Sequence, residues 1–122
     1  MKFEYYNPVD EKAACVGRSI SKILNKDYEE TKQELIELSI SLGYEDYREI
    51  EVFETYLKKH NIIELNQEFN CTIKDLNISK GKYIIFGNKE EWYHMVCLID
   101  NTIYDKNENY KEINIIKIYK KM

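Results

Sequence analysis

The chain has 122 residues, of which 43% are hydrophobic and 33% are charged, with a formal net charge of −4 and a pI near 5.3. This length is typical of one domain spanning residues 1–122, and the composition is that of a globular protein rather than a disordered one. The acidic balance, with lysines scattered among glutamates, argues against nucleic acid or an anionic membrane as the main partner.

No apolar run approaches the ~20 residues that cross a bilayer, and the N-terminal residues contain no apolar segment of the kind found in secretory signals. The three cysteines are odd in number and have no paired spacing. Free thiols are typical of a reducing compartment, so the sequence predicts a cytoplasmic protein without disulfides.

The chain begins with an extended lead-in over residues 1–9, followed by a first helix. This helix is expected to start at Asp10 or Ala13 and to run to about Asn25. One face of it is apolar at helical spacing, which predicts burial of that face. Gly17 within the helix leaves room for another element to approach closely near Cys15.

Two further helices are predicted in the first half of the chain. The second spans 27–43, because Asp27 and Glu30 resemble a capping box and a glycine stands at the end. The third spans about 46–60 and carries apolar and aromatic residues on one side. His60 at its end is expected to cap the helix or face solvent.

The second half of the chain has the character of β-structure. Short strands are predicted at 62–65, 83–86 and 113–119, and a helical turn capped by a threonine is predicted at 72–76. The uninterrupted apolar run at 83–86 suggests a strand that is buried on both faces. Helices followed by antiparallel strands predict an α+β fold with the N-terminal helices packed on the sheet.

The segment 92–105 contains two alternating runs separated by Asp100-Asn101, which predicts a β-hairpin. Side chains on a strand alternate with a period of two, so His94 and Asp105 are expected on the same face of adjacent strands. An imidazole beside a carboxylate on a rigid sheet forms two-thirds of a nucleophilic triad. Cys15 is the candidate for the missing nucleophile.

A cysteine acts as a nucleophile in its thiolate form, which a helix N-terminus and a neighbouring imidazole both stabilise. Cys15 gains the first of these effects only if the helix proper begins near Ala13 or Ala14, because the dipole effect fades beyond the first turn. The alternative is a small buried helix cysteine, the commonest role of a free thiol.

The remaining cysteines are expected to be structural. Cys97 has the opposite parity to His94 and therefore faces away from the predicted site, whereas Cys71 has no ionisable neighbour in sequence. A metal site is not predicted, because the cysteines and histidines lack the paired spacing of zinc ligands.

With these residues identified, the chain resembles small papain-like cysteine peptidase-fold proteins of bacteria, phages and mobile elements. The segment 2–8, Lys-Phe-Glu-Tyr-Tyr-Asn-Pro, is similar to the opening of that group. Residues 15–20, Cys-Val-Gly-Arg-Ser-Ile, resemble its cysteine-bearing helix, and residues 94–105 resemble its His-to-Asp hairpin. The chain departs from the pattern at Tyr93, where glycine commonly precedes the histidine, and at Ala14, where a polar residue often precedes the cysteine.

The resemblance implies a papain-like fold with Cys15 as nucleophile, His94 as general base and acid, and Asp105 as the residue that orients the imidazole. Papain-like enzymes commonly place an oxyanion-hole amide before the cysteine, and Asn7 is the one Asn or Gln there, although a turn or cap role is the simpler alternative. From sequence alone, Asp105→Asn is expected to reduce activity with little effect on stability.

The expected function is that of a cysteine hydrolase, a peptidase or amidase, acting on a protein or peptide substrate through a Cys15 acyl-enzyme without a cofactor. Two alternatives stay open at this point. One is a non-catalytic phage-type module that binds a host protein and retains the fold, and the other is an acyltransferase built on the same triad.

Overall fold

The computed structural model describes all residues from Met1 to Met122. Three helices pack against a six-stranded, mostly antiparallel sheet, which confirms the α+β class. The helices are α1 (Cys15–Leu24), α2 (Tyr28–Leu42) and α3 (Ile50–Lys59). The strands are β1 (Lys2–Tyr5), β2 (Ile62–Glu64), β3 (Lys82–Lys89), β4 (Trp92–Ile99), β5 (Thr102–Asp105) and β6 (Asn114–Lys121).

The second helix starts and ends as its sequence predicts. The Asp27 side chain accepts a hydrogen bond from the backbone N–H of Glu30 at 3.0 Å, and Gly43 adopts the left-handed conformation that ends the helix. The third helix begins at Ile50 rather than near Asp46. The reason is local, because the Asp46 carboxylate accepts the backbone N–H of Arg48 at 2.9 Å and closes a turn ahead of the helix.

The sheet has the strand order β1-β5-β4-β3-β6-β2. The extended lead-in is an edge strand, β1, which pairs in parallel with β5, and β3 pairs antiparallel with both β4 and β6. The predicted helical turn is a 3-10 turn over Ile73–Asp75, but the Thr72 side chain makes no capping hydrogen bond. A second 3-10 turn spans Asn109–Glu112 and follows β5.

The core has two parts, one on each face of the sheet. Side chains of β3 and β4 alternate between them, so Ile84 and Cys97 pack with the helices while Ile85 and Val96 pack on the opposite face. This confirms that β3 is buried on both faces, as its apolar run predicts. The two central strands are therefore a rigid support for the residues that extend from their ends.

Helix α1 is held against β4 and against α2. The Ser19 hydroxyl donates a hydrogen bond to the backbone oxygen of Met95 at 3.0 Å. The close approach expected at Gly17 is that of α2, because a Cβ at this position would lie 3.0 Å from a ring carbon of Tyr28. The N-terminus of α1 is thus fixed beside the beginning of β4.

None of the three helices has the length and apolar character needed to cross a membrane.

Candidate active site

Cys15 is the first residue of α1 and follows the cap residue Ala14. The helical hydrogen bonds begin with the N–H of Arg18, which donates to the oxygen of Ala14 at 2.9 Å. The N–H groups of the first turn therefore have no partner within the helix, and their dipoles favour a negative charge on the Cys15 sulfur. No acidic residue lies in this first turn to oppose that effect.

The segment before the helix bends sharply enough to place the cysteine at the helix start. Ala13 has a φ of 55°, a left-handed conformation that is uncommon for a residue other than glycine. Glu11 fastens this segment to α2, because its carboxylate accepts hydrogen bonds from the Tyr28 hydroxyl at 3.1 Å and from the Lys32 ammonium at 2.9 Å. The sequence pattern did not predict these hydrogen bonds of Glu11.

His94 and Asp105 meet as the hairpin pattern predicts. Ile99 pairs with Thr102 across the turn, and both turn residues, Asp100 and Asn101, have positive φ values of 45° and 67°. The two site residues extend from the paired part of β4 and β5 with the same parity. His94 Nε2 lies 2.7 Å from Asp105 Oδ2, which confirms the predicted geometry of the hairpin.

The His94 imidazole is bonded to the Asp105 carboxylate through one nitrogen and also affects the pKa of the Cys15 thiol. Because Nε2 of His94 is bound to Asp105, the nitrogen left for Cys15 is Nδ1. Burial raises the pKa of the Cys15 thiol, but a hydrogen bond to His94, the charge of His94, the backbone N–H of Met95 and the charge of Arg18 together bring that pKa below its ordinary value.

The pKa of His94 moves in the opposite direction. Burial lowers the pKa of the imidazole, but hydrogen bonds to Asp105 and Cys15, together with their charges, raise it to about 9. A lowered pKa for the thiol and a raised one for the imidazole both favour a thiolate beside an imidazolium. This is the protonation state in which a cysteine is a nucleophile at neutral pH.

Arg18 belongs to the same site, although the sequence analysis did not single it out as a functional residue. Its guanidinium is buried and donates a hydrogen bond from Nη2 to Asp105 Oδ1 at 2.9 Å. The available signal was its position three residues after Cys15, which places both side chains on one side of α1. A charged residue within the buried face of a helix requires a partner, and the sequence did not identify which one.

A cleft of about 590 Å³ opens over Cys15 and His94. Its lining includes four residues at the start of α3 and just before it, Asp46, Arg48, Glu49 and Ile50, and three residues after β5, Lys106, Asn107 and Asn109. Asp46 and Arg48 form an ion pair. The aromatic side chains of Trp92 and Tyr93, which are 44% and 63% exposed, also line the cleft. The cleft therefore presents both apolar and charged side chains beside the thiol.

The chain matches no protein-family model, no curated protein and no solved structure. A thiol of lowered pKa at a helix N-terminus, an imidazole that affects this pKa and a buried carboxylate bonded to the imidazole are residue types that nucleophilic catalysis uses. The N–H groups at the start of α1 have no helical partner and are available as hydrogen-bond donors beside the sulfur.

Asn7, the predicted oxyanion-hole donor, is not among the residues that line the cleft. Its Oδ1 atom is buried without a hydrogen-bond partner. Its position after the edge strand β1 was not predictable from spacing. The first N–H groups of α1 are backbone donors without a helical partner at the cysteine.

The other cysteines and the second histidine lie outside the site. Cys97 is buried between the helices and the sheet, where burial raises the pKa of its thiol to about 12. Cys71 is half-buried and packs against the part of the core on the face of the sheet away from the helices. His60 ends α3 and packs on the ring of Tyr56, with the ring centroids 4.5 Å apart. No group of three or more His, Cys, Asp or Glu side chains lies close enough together to hold a metal ion.

Proposed function

We propose that this protein is a papain-like cysteine hydrolase that cleaves an amide or thioester bond through an acyl-enzyme on Cys15. The observation that carries the proposal is the contact of 2.7 Å between His94 Nε2 and Asp105 Oδ2, which leaves the other ring nitrogen available to the Cys15 thiol at a helix N-terminus. The order of the elements, with the cysteine on the first helix and the histidine and aspartate on the sheet that follows, supports the papain-like assignment.

In the first step the Cys15 thiolate attacks the carbonyl carbon of the substrate, and the negative charge moves to the carbonyl oxygen. Backbone N–H groups at the start of α1 stabilise that oxyanion by hydrogen bonding. The His94 imidazolium then gives its Nδ1 proton to the leaving amine or thiol, and a thioester to Cys15 remains. Asp105 holds the ring in this orientation throughout.

In the second step water attacks the thioester, and neutral His94 takes the proton of that water as general base. The tetrahedral intermediate collapses, the carbonyl fragment leaves as a carboxylic acid, and the sulfur regains its negative charge. The raised pKa of His94 fits the first step, because the imidazolium is available as an acid at neutral pH. The open cleft favours a peptide substrate within this class of reaction.

The proposal is tested with a peptide that carries an electrophilic acyl group, followed by mass spectrometry of the labelled protein. We expect one adduct, on Cys15, and much slower labelling in His94→Ala. Cys71→Ala is the matched control, since it removes a half-buried thiol that lies outside the cleft. Equal labelling of Cys15 and Cys71 in the native protein would contradict the proposal.

A second measurement separates a hydrolase from a binding module. Cys15→Ala removes one sulfur atom and is expected to cost about 1–2 kcal/mol of stability. For a hydrolase, this variant should still capture the substrate but should lose turnover and the biological effect. If both Cys15→Ala and His94→Ala fold and retain full activity in the assay that wild type passes, the protein acts by binding alone.

A further inference from the structure

Arg18 is a charged side chain within the buried face of α1, and only 3% of its side chain is exposed. Removing a guanidinium from water is costly unless a counter-charge and hydrogen bonds compensate for the loss. Its ion-pair partner is Asp105, whose side chain is 1% exposed. The chemical steps proposed above use the carboxylate and leave the arginine without a role.

The three hydrogen bonds to the Asp105 carboxylate are divided between its two oxygens. Oδ1 accepts Nη2 of Arg18 at 2.9 Å and the backbone N–H of Lys106 at 2.7 Å. Oδ2 lies 2.7 Å from Nε2 of His94. Because two donors hold Oδ1, the carboxylate cannot rotate, and Oδ2 stays directed at the imidazole.

The arginine also connects the helix of the nucleophile to the strand of the carboxylate. Cys15 and Arg18 lie one turn apart on α1, while Asp105 ends β5, so one ion pair fixes the position of the thiol relative to the residue that orients its base. The guanidinium charge additionally helps to lower the pKa of the Cys15 thiol. Arg18 therefore acts on both ends of the thiol–imidazole pair.

A role in stability alone explains this pair poorly. Buried ion pairs are often no more stabilising than well-packed apolar residues of the same volume. Nε of Arg18 is buried without a hydrogen-bond partner, so the guanidinium is incompletely compensated by the fold. An apolar side chain would fill the same space without that cost, whereas it could not hold the carboxylate.

We propose that Arg18 is a positioning residue of this site, which locks the Asp105 carboxylate so that one oxygen is reserved for His94. The inference rests on the proposed function, since it assigns a partner to the triad. It predicts that the reactivity of Cys15 depends on a side chain that does not take part in the chemistry.

The test is the pH dependence of Cys15 alkylation by iodoacetamide in wild type, Arg18→Met and Arg18→Lys. Without the guanidinium only the Lys106 N–H still holds Oδ1, so the carboxylate is less firmly directed at His94, and a positive charge near the thiolate is lost. Both changes disfavour the thiolate, so the midpoint of the alkylation profile in Arg18→Met should rise by about one pH unit, a tenfold change in the thiolate equilibrium. Arg18→Lys keeps the charge and should restore part of that shift.

The matched control is Lys22→Met, which removes another cation of α1. The ammonium of Lys22 lies over the rings of Tyr6 and Tyr104. This variant should leave the midpoint for Cys15 unchanged. Unfolding midpoints are recorded for every variant, and Arg18→Lys keeps the test decisive if Arg18→Met does not fold.

The outcomes distinguish the two proposals. A normal alkylation profile in Arg18→Lys and in folded Arg18→Met, with only a lower unfolding midpoint, would make Arg18 a structural residue and leave the proposed function intact. Wild-type Cys15 that reacts no faster at pH 6 than Cys71 would overturn both proposals. A raised midpoint in Arg18→Met with partial rescue in Arg18→Lys supports the positioning role.

Discussion

Replacing Asp105 with asparagine removes the charge of this side chain while keeping its shape. The sequence alone gives no reason to expect a large effect on stability, but the contact with Arg18 changes that expectation. Removing one partner of a buried ion pair leaves an uncompensated charge and costs about 3–5 kcal/mol. In a domain of this size each kcal/mol moves the unfolding midpoint by about 4 °C, so Asp105→Asn should lower it by about 12–20 °C.

The same substitution should also place the imidazole proton on the wrong nitrogen. The asparagine oxygen is expected to stay with Arg18 and the Lys106 N–H, because both are donors. Its NH2 group then faces Nε2 of His94, which must accept, and the ring proton moves to Nδ1 beside the thiol. A ring in this tautomer cannot take the thiol proton. In a serine-protease triad the equivalent change lowers kcat about 10⁴-fold, and we expect a loss of similar order.

Thermal unfolding followed by circular dichroism gives the first quantity, and the rate of labelling by the peptide acyl probe below the unfolding midpoint gives the second. The matched control is the double variant Arg18→Met with Asp105→Asn, which removes the uncompensated charge and should be more stable than Asp105→Asn alone while remaining slow to react. The reasoning is refuted if Asp105→Asn unfolds within a few degrees of wild type and is labelled at the wild-type rate.

Three further outcomes are expected. At pH 6, iodoacetamide should label Cys15 well ahead of the other two cysteines, and His94→Ala should slow the labelling of Cys15. Mass spectrometry that finds the three thiols equally labelled would contradict this prediction. Since the pKa of His94 is raised from 6.5 to about 9, its pairing with the carboxylate should stabilise the fold fully below pH 6.5 and lose that contribution as the pH rises through about 9. Urea unfolding should show this decline in wild type and lack it in His94→Ala. Gly87→Ala should cost about 3 kcal/mol, because its new Cβ would lie 2.3 Å from the backbone oxygen of Asn114; a urea midpoint near that of wild type would refute this.

Much of the fold follows from local rules that a sequence displays directly. The capping of α2 by Asp27 and its end at Gly43 depend on residues only a few positions apart. The predicted start of α3 was wrong by four residues, because the Asp46 side chain closes a turn that competes with helix formation. The spacing of apolar residues carries no information about such a turn.

The sequence by itself determined that His94 and Asp105 share one face of a hairpin, because strand side chains alternate with a period of two about a short turn. Only the tertiary structure decided which residue binds the other oxygen of the Asp105 carboxylate. Arg18 and Asp105 are separated by 87 positions along the chain, and their contact depends on how α1 lies across the sheet. The exclusion of Asn7 from the cleft has the same origin. Such long-range contacts follow from packing between elements, which no local periodicity encodes.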